Sequence, residues 1–154
     1  MIKPISDFVR LFGTVINMDE SLVVKRRGQY FLFSENLKEY ASKDFLYAGT
    51  YLGKVKEGRL FPSFNLLGII AQGNANMVFV DKKTEWLFIC GRDIFKKGIT
   101  KVTGSTRKND YALVMNSFGE CLGYGIIVRN LERERIGVAI ENLLDLGDFL
   151  RREK

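Results

Sequence analysis

The chain has 154 residues, is 46% hydrophobic, and carries 24 Lys and Arg against 18 Asp and Glu, for a net charge of +6. That length sustains a real core without disulfide or metal staples, burying about 68–70% of the unfolded surface, and no apolar run reaches the roughly 18 residues of a membrane span. There is no histidine, which argues against Ser-His nucleophilic chemistry and most transition-metal centres, although carboxylates and lysines remain for other chemistry.

Lys3-Pro4 opens a helix, because proline fits the first turn, and Ile5, Phe8, Val9 and Phe12 fall on one face before Gly13 stops it. Asp7 and Arg10 interrupt its apolar residues, so it lacks a signal-peptide core and the expected location is cytoplasmic. ESLVVKR (20–26) and QYFLF (29–33) read as two strands around an Arg27-Gly28 turn. Ser34 is expected to cap a second helix over ENLKEYASK. Residues 45–51 and 53–59 follow as another strand pair, with Lys54, Lys56 and Arg59 on one face.

Phe61-Pro62-Ser63 starts a third helix, apolar on most sides, which is expected to pack against sheets before and after it. The polar stretch Gln72 to Asn76 is the best boundary, giving an N-terminal α+β domain (1–73) and a second domain (76–154). Each side carries a net +3, so only local clustering of charge can single out a binding face.

In the second half Trp86 to Cys90 reads as a strand, Gly91 breaks it, and Asp93 opens a two-turn helix ending at Gly98. Ile99 to Val102, Tyr111 to Met115 and Leu122 to Val128 are short strands between Gly-containing loops, a spacing that suits a small barrel. Ile136 to Ile140 is one more strand, and Asn142 is expected to cap a last helix, LLDLGDFLRREK. Cys90 and Cys121 lack Cys-x-x-Cys spacing and read as small buried hydrophobes in strands.

The order of strand, Gly-Arg-Asp, Gly98, charged loop, hairpin and then Glu120-Cys121-Leu122-Gly123-Tyr124-Gly125 resembles the PUA domain, an RNA-binding pseudobarrel, over residues 76–150. Gly49-Thr50-Tyr51-Leu52-Gly53-Lys54, Arg59-Leu60-Phe61 and the buried helix add a likeness to a two-domain family. That family comprises the large-subunit pre-rRNA processing factors whose yeast member was named for nuclear import and numbered seven. The shorter length here resembles an archaeal member.

The resemblance implies an N-terminal domain with a mostly antiparallel sheet and about three helices, followed by a C-terminal PUA pseudobarrel. It implies a non-catalytic, cofactor-free protein of ribosome biogenesis that binds uridine-rich single-stranded RNA. Pre-ribosomal proteins, and an association with the RNA-degrading exosome, come with it as expected partners. The family's basic positions fall on Arg151, Arg152 and Lys154.

From the residues themselves, phosphate contacts require cations gathered in space, and Lys96, Lys97 and Lys101 are a second set. Either set could instead complete a helix dipole. Lys25, Arg26 and Arg27 with Lys54, Lys56 and Arg59 form a third, read as a solvated sheet face or a docking surface. Tyr124 and Phe118 are stacking candidates, and Gly123 and Gly125 mark a bulge or barrel corner. Two alternatives stay open: an RNA-modifying enzyme or its accessory subunit, for which Asp19, Asp44 and Glu57 supply carboxylates without a motif, and a protein-protein adaptor.

Overall fold

The computed structural model describes residues 2–45 and 47–152, Arg152 by its backbone alone. The N-terminal helix α1 (Lys3–Arg10) has proline in its first turn and buries Ile5, Phe8 and Val9. A hairpin follows, β1 (Val23–Arg26) and β2 (Gln29–Leu32), turned by Arg27 and Gly28, both with positive φ (54° and 78°), the left-handed pair that matches strand twist. A second hairpin pairs β3 (Thr50–Lys56) with β4 (Arg59–Pro62), turned by Glu57 and Gly58. The turn therefore sits five residues later than the expected break between residues 51 and 53. These strands form one antiparallel sheet in the order β1-β2-β3-β4.

Helix α2 (Phe64–Ala71) is capped by Ser63, whose hydroxyl accepts the Leu66 amide at 3.1 Å, and it buries Leu66, Leu67 and Ile70. It touches β3 on one side and the second sheet on the other, as its all-round apolar sequence implies. That sheet comprises β5 (Met77–Val80), β6 (Ile94–Phe95), β7 (Ile99–Thr103), β8 (Tyr111–Met115), β9 (Cys121–Ile127) and β10 (Val138–Asp145). Its order is β6-β10-β9-β8-β5-β7, with β5 and β8 parallel. The two edge strands, β6 and β7, are joined by the single turn at residues 96–98, so the sheet curls toward closure.

Several expectations are corrected. Trp86 to Cys90 is not a strand: α3 (Lys82–Ile89) carries all but its last residue, capped by Asp81, which accepts the Thr84 amide at 2.8 Å. Thr84 and Phe88, four residues apart, form its buried side, while Trp86 and Leu87 face solvent. A continuous apolar run does not by itself separate strand from helix, and here the Asp-x-x-Thr cap was the better signal. Asp93 opens no helix, since β6 and a 3-10 turn follow it.

Asn142 caps nothing, because it lies within β10, whose ladder with β9 continues to Asp145 opposite Gly123. The last helix, α4 (Leu146–Arg152), is shorter and begins behind Asp145, whose carboxylate accepts the Asp148 amide at 2.7 Å. Ser34 caps nothing either, and its segment is an exposed 3-10 turn over Glu35–Tyr40. Cys90 is exposed, at the end of a helix rather than in a strand.

Two cores result. The first joins α1, α2 and the inner face of the N-terminal sheet to Leu113 and Met115 of β8. The second fills the curled sheet with Val78, Phe88, Ile127 and Ile140, and takes Ala112 and Val114 from the opposite face of β8. Strand β8 is thus buried on both faces, which explains its unbroken apolar sequence YALVM. Asn76 holds the junction. Its amide donates to Phe12, its carbonyl accepts from Leu113, and its side chain joins the Tyr111 carbonyl (3.1 Å) to the Ser105 amide (2.9 Å).

Candidate nucleic-acid interface

The 3-10 turn between β6 and β7 places Lys96, half buried, and Lys97, exposed, where the backbone enters β10. The Lys96 amide donates to the Gly137 carbonyl at 3.0 Å. Gly98 packs so closely on Thr84 that a side chain there would overlap it, which pins the turn to α3. The Arg129 guanidinium lies over Gly137, with Cζ 3.2 Å from where a Cβ would stand. Lys108 and Arg129 line a shallow hollow of about 380 Å³ with Val138. Glu134, at 3.9 Å from Arg129, is the acid in this group.

Lys96, Lys97, Lys108 and Arg129 therefore gather at the start of β10 from three separate connections. Sequence spacing reveals only the adjacent pair. Lys101 stands three residues past Gly98, about 10 Å along β7, with its ammonium 5.1 Å from the centre of the Phe79 ring.

Arg151 belongs to the other end of β10. Its Nη2 lies 3.8 Å from Oδ1 of Asp145, a carboxylate whose side chain is 5% exposed. Arg151 is thus separated from Lys96 and Lys97 by the length of the strand, up to about 23 Å at 3.3 Å per residue, and does not join their cluster. Exposed Arg92 partly bridges them: its carbonyl accepts from Asn142, in mid-strand, at 3.3 Å. The side chain of Arg152, and Lys154, lie outside the described residues.

In the N-terminal sheet Arg26 is engaged locally. Its Nη2 donates to the carbonyls of Lys43 (2.5 Å) and Ala41 (3.3 Å), its Nη1 lies 3.4 Å from Asp44, and its guanidinium covers Phe45. Arg27 also pairs with Asp44, at 3.6 Å. Both arginines hold the segment after the exposed turn against the sheet. Lys54, Lys56 and Arg59 share the outer face, Lys56 directly opposite Arg59. Asp19 accepts from the Ser21 hydroxyl and amide, bonds that hold its carboxyl below the usual range. With Asp44 tied to arginines and Glu57 in a hairpin turn, the three carboxylates each serve a separate element.

Phe118 is 85% and Trp86 68% exposed, on either side of a hollow of about 350 Å³. Trp86 was concealed in the sequence by its assignment to a buried strand. Tyr124 is a core residue, edge-on to Phe8 at 5.5 Å and Phe12 at 5.6 Å, and burial pushes its phenol pKa up. Gly123 and Gly125 are structural: a side chain at Gly123 would overlap the Leu144 backbone, beside a register shift in β10, and one at Gly125 would overlap Glu141.

Residues 76–154, just over half the chain, match the UPF0113 PUA domain family. A UPF0113 protein of Archaeoglobus fulgidus is 34% identical over 116 residues, covering 70% of this chain and 63% of that relative, so the match spans less than two-thirds of its length. Among solved structures, a conserved PUA domain protein from Thermoplasma acidophilum superposes with a TM-score of 0.61 at 23% identity, over 98% of this chain and 92% of that one. A PUA domain from Aeropyrum pernix K1 gives 0.51 at 21% identity, over 61% and 56% of the respective chains. These likenesses bear out the curled C-terminal sheet as the PUA fold.

Proposed function

We propose that this chain, which belongs to the UPF0113 PUA domain family, is a non-catalytic RNA-binding protein of large ribosomal subunit biogenesis and pre-rRNA processing. It works in the cytoplasm and takes uridine-rich single strands through its PUA half. The observation that carries this reading is the convergence of Lys96, Lys97, Lys108 and Arg129 on the start of β10. A polyanion gains from such a cluster by releasing counterions, and Arg92 and Arg151 extend it along the strand. A track of that length suits a short single strand, near the lower end of the ~4–16 nucleotide range of single-strand binders. The resemblance to pre-rRNA processing factors supplies the pre-ribosomal setting, with pre-ribosomal proteins and the exosome as partners to be sought by co-purification.

The test is filter binding of oligouridine at about 50 and about 200 mM salt. Replacing Lys96, Lys97 and Arg129 together by Ala weakens binding and flattens the salt dependence by about 0.7 per lost phosphate contact. Lys25→Ala, on the N-terminal sheet, leaves both unchanged. An unaltered slope in the triple variant would overturn the assignment.

A further inference from the structure

A second groove lies away from the start of β10, where the edge of the N-terminal sheet meets the far end of the second sheet. One wall is Tyr51, Lys54, Arg59 and Phe61, and the other is Leu143 and Phe149, with Tyr124 and Leu60 beneath, around a hollow of about 500 Å³. Lys54 and Phe61 are cross-strand partners, so the ammonium and the ring stand side by side on one face. The Arg59 guanidinium is 5.8 Å from the same ring. Phe61 is 38% and Leu143 42% exposed, so both apolar walls are open to a ligand.

The charge is one-sided. Among the described residues no acidic one lines the groove, and neither Lys54 nor Arg59 has a carboxylate within 4.0 Å. Arg26 and Arg27, on the same sheet, are by contrast paired with Asp44. Two unpaired cations beside a flat ring and an apolar wall match a ligand that is anionic at one end and planar at the other. The volume lies within the ~300–1,000 Å³ of small-ligand sites.

We infer that this groove binds a nucleoside 5′-phosphate, either free or as one unit of an RNA strand. The base lies between Phe61 and the Leu143–Phe149 wall, gaining from stacking, and the phosphate meets Lys54 and Arg59. The site is distinct from the Lys96–Arg129 cluster, so each can fail without the other.

The experiment is an amide NMR titration of the full chain with uridine 5′-monophosphate, uridine and inorganic phosphate. The nucleotide shifts resonances on both walls, in residues 51–61 and 143–149, and binds at least tenfold more tightly than either fragment. Phe61→Ala and Lys54→Ala, both at exposed positions, each weaken it fivefold or more, whereas Lys25→Ala does not. A parallel crosslinking of 4-thiouridine-substituted oligouridine distinguishes the sources: adducts at Tyr51 or Phe61 show a strand unit, and their absence with the monophosphate still bound shows a free nucleotide. Shifts on neither wall, or nucleotide binding unchanged in both groove variants, would overturn the inference. So would preferential capture of an acidic tyrosine peptide.

Discussion

Arg151 Nη2 and Asp145 Oδ1 stand 3.8 Å apart, and the carboxylate is almost fully buried while the guanidinium is more than half exposed. Asp145 also accepts from the Asn142 side chain at 3.2 Å and from the Asp148 amide at 2.7 Å, so it closes β10 and opens α4 together. Arg151 is therefore half a structural residue. Arg151→Ala should cost about 1 kcal/mol, because the guanidinium is more than half exposed and stands 3.8 Å away while the Asn142 and Asp148 donors still satisfy the buried carboxylate, and lower Tm by about 2–4 °C for a chain of this size. Asp145→Ala, which also strips the cap and the Asn142 bond, should cost about 2–3 kcal/mol. Thermal melts at neutral pH separate the two. Any loss of RNA affinity in Arg151→Ala is to be read against that loss of stability.

Gly123→Ala should be the most damaging conservative change in the second sheet. The residue has φ +144° and lies against the Leu144 carbonyl, so a methyl group would meet both backbone strain and overlap. A loss of about 3 kcal/mol or more is expected, seen as a fall in the urea midpoint. The neutral outcome would mean that β10 can shift away from β9 at this point.

The two cysteines should separate under alkylation. Cys90 is exposed, whereas burial pushes the Cys121 thiol up to about 11. At pH 8 only about 0.1% of Cys121 would be thiolate, the reactive form, so iodoacetamide should label Cys90 alone in the folded chain and both after denaturation. The folded pKa of Cys121 is raised above its ordinary value of 9.0. Its contribution to stability is thus full below about pH 9 and is lost as pH rises toward about 11. A Cys121→Ala variant should lack that part of the alkaline decline.

What the sequence made legible was what short-range chemistry decides. Pro4 with the Ile5, Phe8, Val9 stripe defined α1, Arg27-Gly28 defined the first hairpin, and the apolar run after Ser63 defined α2, although the helix opens at Phe64 because Phe61 and Pro62 belong to β4. It failed where tertiary surroundings choose between local options. Trp86-Leu87-Phe88 is apolar enough for a buried strand, yet only Phe88 is buried, because α3 packs a single face, that of Thr84 and Phe88, against β6, β9 and β10. Leu143, Leu144 and Leu146 mimic a helical stripe, yet pairing with β9 holds the chain extended to Asp145. Strand β5, which lies between β8 and the edge strand β7, was not among the expected strands. The candidate site was legible only as the adjacent pair Lys96-Lys97. Lys108 and Arg129 reach it through folds of the chain that no spacing encodes.

The double-sided burial of β8 has a mechanical corollary. Since Leu113 and Val114 point into different cores and Asn76 ties the Leu113 backbone to Phe12, just past α1, neither half can loosen without unseating the other. Denaturant should meet a single cooperative block. The two grooves are then carried at a fixed spacing, as on a rigid gauge, and an RNA that engages both must adapt its own path to the protein.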